Sequence, residues 1–278
     1  MQFSANGNAG SADKLASAGR ALRLRIFSAA ILVTAALLAT LMGGLAFLAL
    51  VLIFAGLVHR EWFRVQEAVP YRGAAALLLA CWVAAIAWHL VDPQTGILTA
   101  MIGGVIGGII AIVCGYRPLM VVGGYLYIAV PALVFLQLRE PGVELLIFLF
   151  LVVWLTDTGA YVAGRTIGGP KLWPSVSPNK TWSGAIGGMI AGCLAGGLAA
   201  WSWGLTTDAI VHAILVGAIV SVAGQIGDLA ESAWKRHFNV KDSGGIIPGH
   251  GGVMDRLDSL IVAAPVLALV QAAGGATF

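Results

Sequence analysis

VELLIFLFLVVWLTDTGAYVA, residues 143–163, decides the fold. From Leu145 to Leu155 it carries no polar side chain. A helix needs about 20 mainly apolar residues to cross a bilayer, so this run reads as a membrane span. The surrounding composition agrees. Charged residues make up 10% of 278, hydrophobic ones 59%, mean hydropathy is +0.91 and glycine reaches 37. A soluble domain of this length cannot hide so much apolar surface, whereas lipid accepts it. The predicted fold is all-α, a polytopic helical membrane protein. Net charge of +3 says little beside where the charges fall. Cys81, Cys114 and Cys193 lie in apolar runs without paired spacing and read as packing residues, not as disulfide or zinc ligands.

Outward from this run, nine spans are expected: 26–42, 44–59, 74–91, 97–115, 119–138, 143–163, 184–203, 209–228 and 257–273. The first two are separated only by Gly43-Gly44 and their neighbours. Residues 1–24 read as a disordered basic cytoplasmic tail, 25–140 as N-terminal transmembrane helices, and 141–278 as a catalytic membrane region with its loops. A signal peptide is the rival reading of the N-terminus. The long apolar run without a small-x-small cleavage site favours a retained helix.

With nine spans and the N-terminus inside, fifteen of the sixteen Lys and Arg residues fall on the cytoplasmic side, and Arg139 alone falls outside. This is the asymmetry of the positive-inside rule. The C-terminus is then expected outside. Gly184, Gly188, Gly192 and Gly196 recur every fourth residue, and Gly103-Gly104 with Gly107-Gly108 repeat the pattern. Such faces let helices approach closely, either within one chain or between two.

Polar residues concentrate in three segments: 59–72, 156–184 and 224–258. In the third, Asp228, Glu231, Ser232 and Lys235 follow i, i+3, i+4, i+7 spacing and share one helix face. A lone carboxylate at the membrane edge is costly, so Asp228 calls for a cation or a water-filled cavity. Gly244, Gly245, Pro248, Gly249, Gly251 and Gly252 then forbid a regular helix and let backbone N–H groups approach a phosphate. Lys235, Arg236, Lys241 and Arg256 add positive charge for phosphate oxygens. Asp255 and Asp258 open the last span.

Carboxylates, a glycine loop and basic residues together suit a magnesium–nucleotide site, with Asp228 and Asp255 as the favoured metal ligands. Asp242 completes the candidate catalytic set with these acids and bases. His250 also belongs to it, although it reads equally as a turn residue and is a poor magnesium ligand. Asp258 reads equally as a helix cap or dipole partner. In the second segment Asp157 ends the sixth span, followed by Thr158, Gly159 and Tyr161, and Arg165, Lys171 and Lys180 surround Gly168-Gly169-Pro170 and Ser177-Pro178 as a second phosphate-facing loop. Asp157, Tyr161, Arg165, Ser177, Lys180, Thr181, Gly251 and Gly252 are the candidate substrate-binding residues. No GxxxxGK[ST] is present, which disfavours P-loop chemistry. In the first segment, Glu61 is expected to pair with Arg60 or Arg64.

The run Ser232-x2-Lys235-Arg236-x4-Lys241-Asp242-x-Gly244-x3-Pro248-x-His250-Gly251-Gly252-x2-Asp255-Arg256-x-Asp258 resembles the signature of the phosphatidate cytidylyltransferase (CDP-diacylglycerol synthase) family. Asp157 to Tyr161, Gly164-Arg165, and Ser177-Pro178-Asn179-Lys180-Thr181-Trp182 resemble its upstream motif, and Glu61-Trp62 its N-terminal one. Trp234 and Ser183 depart from the pattern, where an aliphatic residue or Phe and a Glu are usual.

The resemblance implies a homodimeric enzyme in the lipid bilayer that joins CTP to phosphatidic acid, giving CDP-diacylglycerol and pyrophosphate. It further implies Mg2+ and a second cation such as K+, with the family's metal-binding aspartates carried over onto Asp228 and Asp255. No nucleic-acid partner is expected. The short chain and compact loops favour a bacterial plasma (inner) membrane with the site facing the cytoplasm. The competing readings are an enzyme using another lipid acceptor, a transporter or channel, and an inactive scaffold.

Overall fold

The computed structural model describes residues 23–24, 27–66, 72–93, 95–115, 117–247 and 251–274, with the backbone alone described at 72–74. The expected tail, residues 1–24, lies outside them except for the helical pair 23–24. Its helices are α1 (Phe27–Met42), α2 (Gly44–Val65), α3 (Arg72–His89), α4 (Gly96–Val113), α5 (Pro118–Arg139), α6 (Glu144–Thr166), α7 (Trp182–Ser202), α8 (Thr207–His237) and α9 (Met254–Ala272). Six of them, α2 and α4 to α8, are long and apolar enough to cross a membrane. A short antiparallel hairpin, β1 (Lys171–Trp173) and β2 (Ser177–Thr181), precedes α7. The sequence reading treats that segment as loop only.

Each expected span coincides with one helix, and the differences are in length. α1 and α2 separate where expected, because Gly43 and Gly44 adopt positive φ of 63° and 49°. α8 is the largest departure. Its 31 residues extend about 46 Å, well beyond a hydrocarbon layer of about 30 Å. After the apolar stretch, Ala230, Glu231, Ala233, Lys235 and Arg236 are strong helix formers with no Gly or Pro among them, so the helix continues. It ends in a Schellman turn. Asn239 takes φ 56°, Val240 N–H donates to Lys235 O at 3.0 Å, and Asn239 N–H donates to Arg236 O at 3.0 Å.

Both glycine faces pack within the chain. On α7, a Cβ at Gly188 would stand 2.9 Å from Thr156 O of α6. A Cβ at Gly217 of α8 would stand 2.5 Å from Gly192 O. On α4, Gly104 and Gly108 face Leu126 and Val122 of α5, and Gly107 faces Leu78 of α3. The opposite face of α7 exposes Ile186, Ile190, Leu194 and Leu198, four residues apart, as a surface for lipid. Between α6 and α8 a buried polar link joins the helices: Thr156 Oγ1 donates to Ser221 Oγ at 2.8 Å. These contacts place the ends of α6, α8 and α9 side by side, with the end of α2 against them, and the charged residues gather there.

Candidate active site

The centre is Lys235 on α8. Only 8% exposed, it lies between Glu231 Oε2 at 2.8 Å and Asp255 Oδ1 at 2.5 Å. Asp255, in the first turn of α9, also accepts Ser243 N–H, at 3.0 Å to Oδ2, and Gly252 N–H at 2.8 Å. A carboxylate given this many donors is held in its ionised form. One turn before Glu231, Asp228 pairs with Lys180 of β2 at 2.5 Å, and Ser232 Oγ donates to it at 3.4 Å. The hairpin therefore delivers Lys180 to the carboxylate for which the sequence demanded a cation.

Glu61 of α2 does not pair with Arg60 or Arg64. It is 1% exposed and reaches the far end of the sequence instead. Its carboxylate accepts Ser243 Oγ–H at 2.8 Å, Val253 N–H at 2.9 Å and Met254 N–H at 2.8 Å. The N-cap position of α9, Val253, has no side chain able to satisfy the first N–H groups of the helix. Glu61 supplies that cap from another helix, with its negative charge at the positive end of the α9 dipole. Asp258 does not serve as this cap; it accepts Ser259 N–H at 2.7 Å in the next turn. Ser243 links the two acids, its N–H on Asp255 and its hydroxyl on Glu61.

Asp157, at the polar end of α6, is within electrostatic reach of Asp228, Lys180 and Arg256, and Asp258 is within reach of Asp228, Glu231 and Asp157. Five carboxylates, Asp157, Asp228, Glu231, Asp255 and Asp258, thus stand with three cations, Lys180, Lys235 and Arg256. The buried Glu231 Oε1 has no hydrogen-bond partner among the described residues. An oxygen-rich cluster with an orphaned carboxylate oxygen offers the donor chemistry of a hard divalent cation such as magnesium, while among the described residues no three acids converge as a ligand set.

The remaining expected residues fall around this centre. Thr181 Oγ1 accepts Gly184 N–H at 3.1 Å and caps α7. Ser183, at the position where Glu is usual, bonds Gly168 O and closes the loop before the hairpin. Arg236 donates to Val176 O at 3.4 Å and Val240 O at 3.0 Å, joining the end of β1–β2 to the end of α8; Ser177 adjoins that contact. Lys241 and Asp242 are exposed on the loop after α8. Arg165 and Tyr161 bond each other at 2.8 Å, further along α6 than Asp157 and on an exposed surface. Gly251 has φ 82° and forms a bridge with Ile247. His250, with Pro248 and Gly249, lies outside the described residues.

Two residues of the centre were missed in the sequence as site residues. Glu231 had a readable signal, the i, i+4 spacing to Lys235 that forms its ion pair. Glu61 was marked only by the resemblance of Glu61-Trp62 to a family motif, and its role was hidden because its partners are 182 to 193 residues away. Trp234, the second departure, is a packing residue, stacked on Trp62 with ring centroids 4.2 Å apart.

Comparison with known proteins follows the same residues. The model of the cytidylyltransferase family matches residues 23–273. A protein of Brucella suis biovar 1 (strain 1330) named phosphatidate cytidylyltransferase is 40% identical over 270 residues, covering 90% of this chain and 93% of its own. The protein of the same name in Brucella melitensis biotype 1 matches equally. One from Staphylococcus haemolyticus, also so named, is 47% identical over 141 residues, 51% of this chain and 54% of its own.

Proposed function

This chain belongs to the cytidylyltransferase family, and from that premise we propose that it is a phosphatidate cytidylyltransferase of phospholipid biosynthesis. It joins CTP to phosphatidic acid, giving CDP-diacylglycerol and pyrophosphate. The observation that carries this reading is the carboxylate–lysine centre at one end of an apolar helix bundle, where a water-borne nucleotide can meet a lipid phosphate.

In the reaction an oxygen of the lipid phosphate attacks the α-phosphorus of CTP, and the bond from that phosphorus to the bridging oxygen of pyrophosphate breaks. Such transfers depend on alignment and charge neutralisation more than on covalent help. Asp228 and Asp255 would hold a divalent cation, magnesium by their oxygen chemistry, which neutralises phosphate charge; the other acids leave room for a second cation such as potassium. Lys235, fixed by Glu231 and Asp255, sets the position of Asp255. Lys180 and Arg256 would meet phosphate oxygens, and the exposed Lys241 would add positive charge for them. The lipid phosphate is already ionised, so His250 needs no role as a base.

The same reading takes the helices as nine spans with the N-terminus in the cytoplasm and the centre at the cytoplasmic face of a bacterial plasma membrane. The positive-inside asymmetry supports this. It also takes the enzyme as a homodimer, with an interface away from the glycine faces that α4 and α7 use internally. The test is turnover of labelled CTP by purified protein in phosphatidate-containing mixed micelles, with and without magnesium. Magnesium-dependent labelled CDP-lipid with released pyrophosphate is the expected result. Folded protein without product would overturn the assignment.

A further inference from the structure

Beside the carboxylate centre, α1, α2, α5, α6 and α9 line a partly open cavity of about 280 Å³. Its walls are almost entirely apolar, and among the described residues its only charged lining residues are Asp157 and Arg256, both at the end nearest the centre. Lys180 and Lys235 are committed to carboxylates, whereas Arg256 is exposed and forms no ion pair among the described residues. The other end is closed by rings: Phe135 and Phe150 stack with centroids 6.4 Å apart, and Phe47 lines it from α2.

The dimensions follow from the helices. Lining positions run from Asp157 to Phe150 on α6 and from Val58 to Phe47 on α2. At 1.5 Å per residue these intervals give a depth of roughly 10–16 Å. Depth and volume together leave room for the extended hydrocarbon of a lipid along the cavity. An apolar cavity with an exposed guanidinium at its mouth is complementary to an amphiphile with an anionic head.

We propose that this cavity receives one acyl chain of the lipid substrate, with the lipid phosphate at Arg256, and that Ala55 and Ala132 are specificity-determining residues that set the accepted chain length. This rests on the function proposed above. Ala55 on α2 and Ala132 on α5 are small wall residues between the polar mouth and the ring-closed end. A larger side chain at either would shorten the cavity without touching the carboxylate centre. Ala36 offers the same test from α1.

The experiment compares dihexanoyl and dioleoyl phosphatidic acid as substrates for wild type, Ala55→Leu, Ala132→Leu and Ala36→Leu in the same mixed micelles, measuring KM for each lipid and for CTP. The expected result is a rise of about tenfold in KM for the dioleoyl lipid, the scale on which apolar pockets discriminate by a few carbons. KM for CTP and turnover of the dihexanoyl lipid should stay at wild-type values. The short lipid reports that each variant is folded. Equal changes for both lipids, or none in any variant, would overturn the proposal while leaving the cytidylyltransferase reading intact. Wild type inactive with every phosphatidate would overturn both.

Discussion

The two ends of the helix bundle use the same few polar residue types for opposite purposes. At the end with the carboxylate centre, charges are buried and meet one another: Lys235 between Glu231 and Asp255, Glu61 on the start of α9. At the other end, polar groups tie turns and helix ends together. Arg139 donates to Thr40 O at 2.7 Å beside the α1–α2 break. Trp88 Nε1–H donates to Thr95 Oγ1 at 2.8 Å, and Thr95 in turn donates to Asp92 at 2.8 Å in the α3–α4 turn. His89 Nε2 stands 3.7 Å from a half-exposed Glu140. The first end assembles residues from four helices and a hairpin around buried ion pairs. The second mostly satisfies backbone and neighbouring groups. Buried ion pairs that join several elements are therefore what set the carboxylate centre apart from the turns at the other end.

Substitutions at the two ends sharpen the contrast. The largest effect is expected for Asp255→Asn, which keeps the shape of the side chain but removes a charge from both the metal site and Lys235. Turnover should fall on the order of 10³-fold, the scale of losing one preorganised electrostatic contact or more, while the purified protein still unfolds cooperatively by thermal melting. Full activity with magnesium would remove Asp255 from the centre. Lys235→Met should follow. It leaves Glu231 and Asp255 facing each other without a cation, so stability should fall by about 3–5 kcal/mol, read as an earlier melt in detergent, with activity lost in parallel.

Glu61→Gln comes next. Gln can accept from only one oxygen and turns an NH2 group towards the N–H donors of α9. A drop in kcat of about 10–100-fold is expected, with KM for CTP changed far less, because Glu61 positions Asp255 and touches no substrate. Ser243→Ala should move kcat in the same direction by less, since the backbone N–H on Asp255 survives. If Glu61→Gln raised KM for CTP and left kcat alone, the positioning role would fail. The smallest effect, and the direct counterpart at the other end, is expected for Arg139→Ala. Activity should stay within about twofold, with about 1–2 kcal/mol of stability lost from a charge-assisted hydrogen bond to a carbonyl. A collapse of turnover there would erase the distinction between the ends.

How far the sequence could be read differs from one residue to the next. The helices were legible because apolar runs of membrane length leave the backbone no alternative to internal hydrogen bonds. Asp228, Lys235 and Asp255 were legible as a group, and Glu231 could have joined them by spacing alone. The pairing of the glycine faces was not legible, since a small-residue stripe fits a neighbour in its own chain or in another. The hairpin at 171–181 was hidden among Pro and Gly residues that read as loop.

What the amino-acid order determined by itself is local: which segments are helical, that α8 has the composition to outlast its apolar stretch, and which polar residues share a helix face. These depend on periodicity, propensity and hydropathy over neighbouring residues. Only the tertiary structure decided that Glu61 caps α9 and that Lys180 meets Asp228. It also decided that five helices leave a cavity beside Arg256. Each of these joins residues far apart in the chain, and the choice among possible partners is made by which helix backbones can approach closely enough for a short side chain to reach.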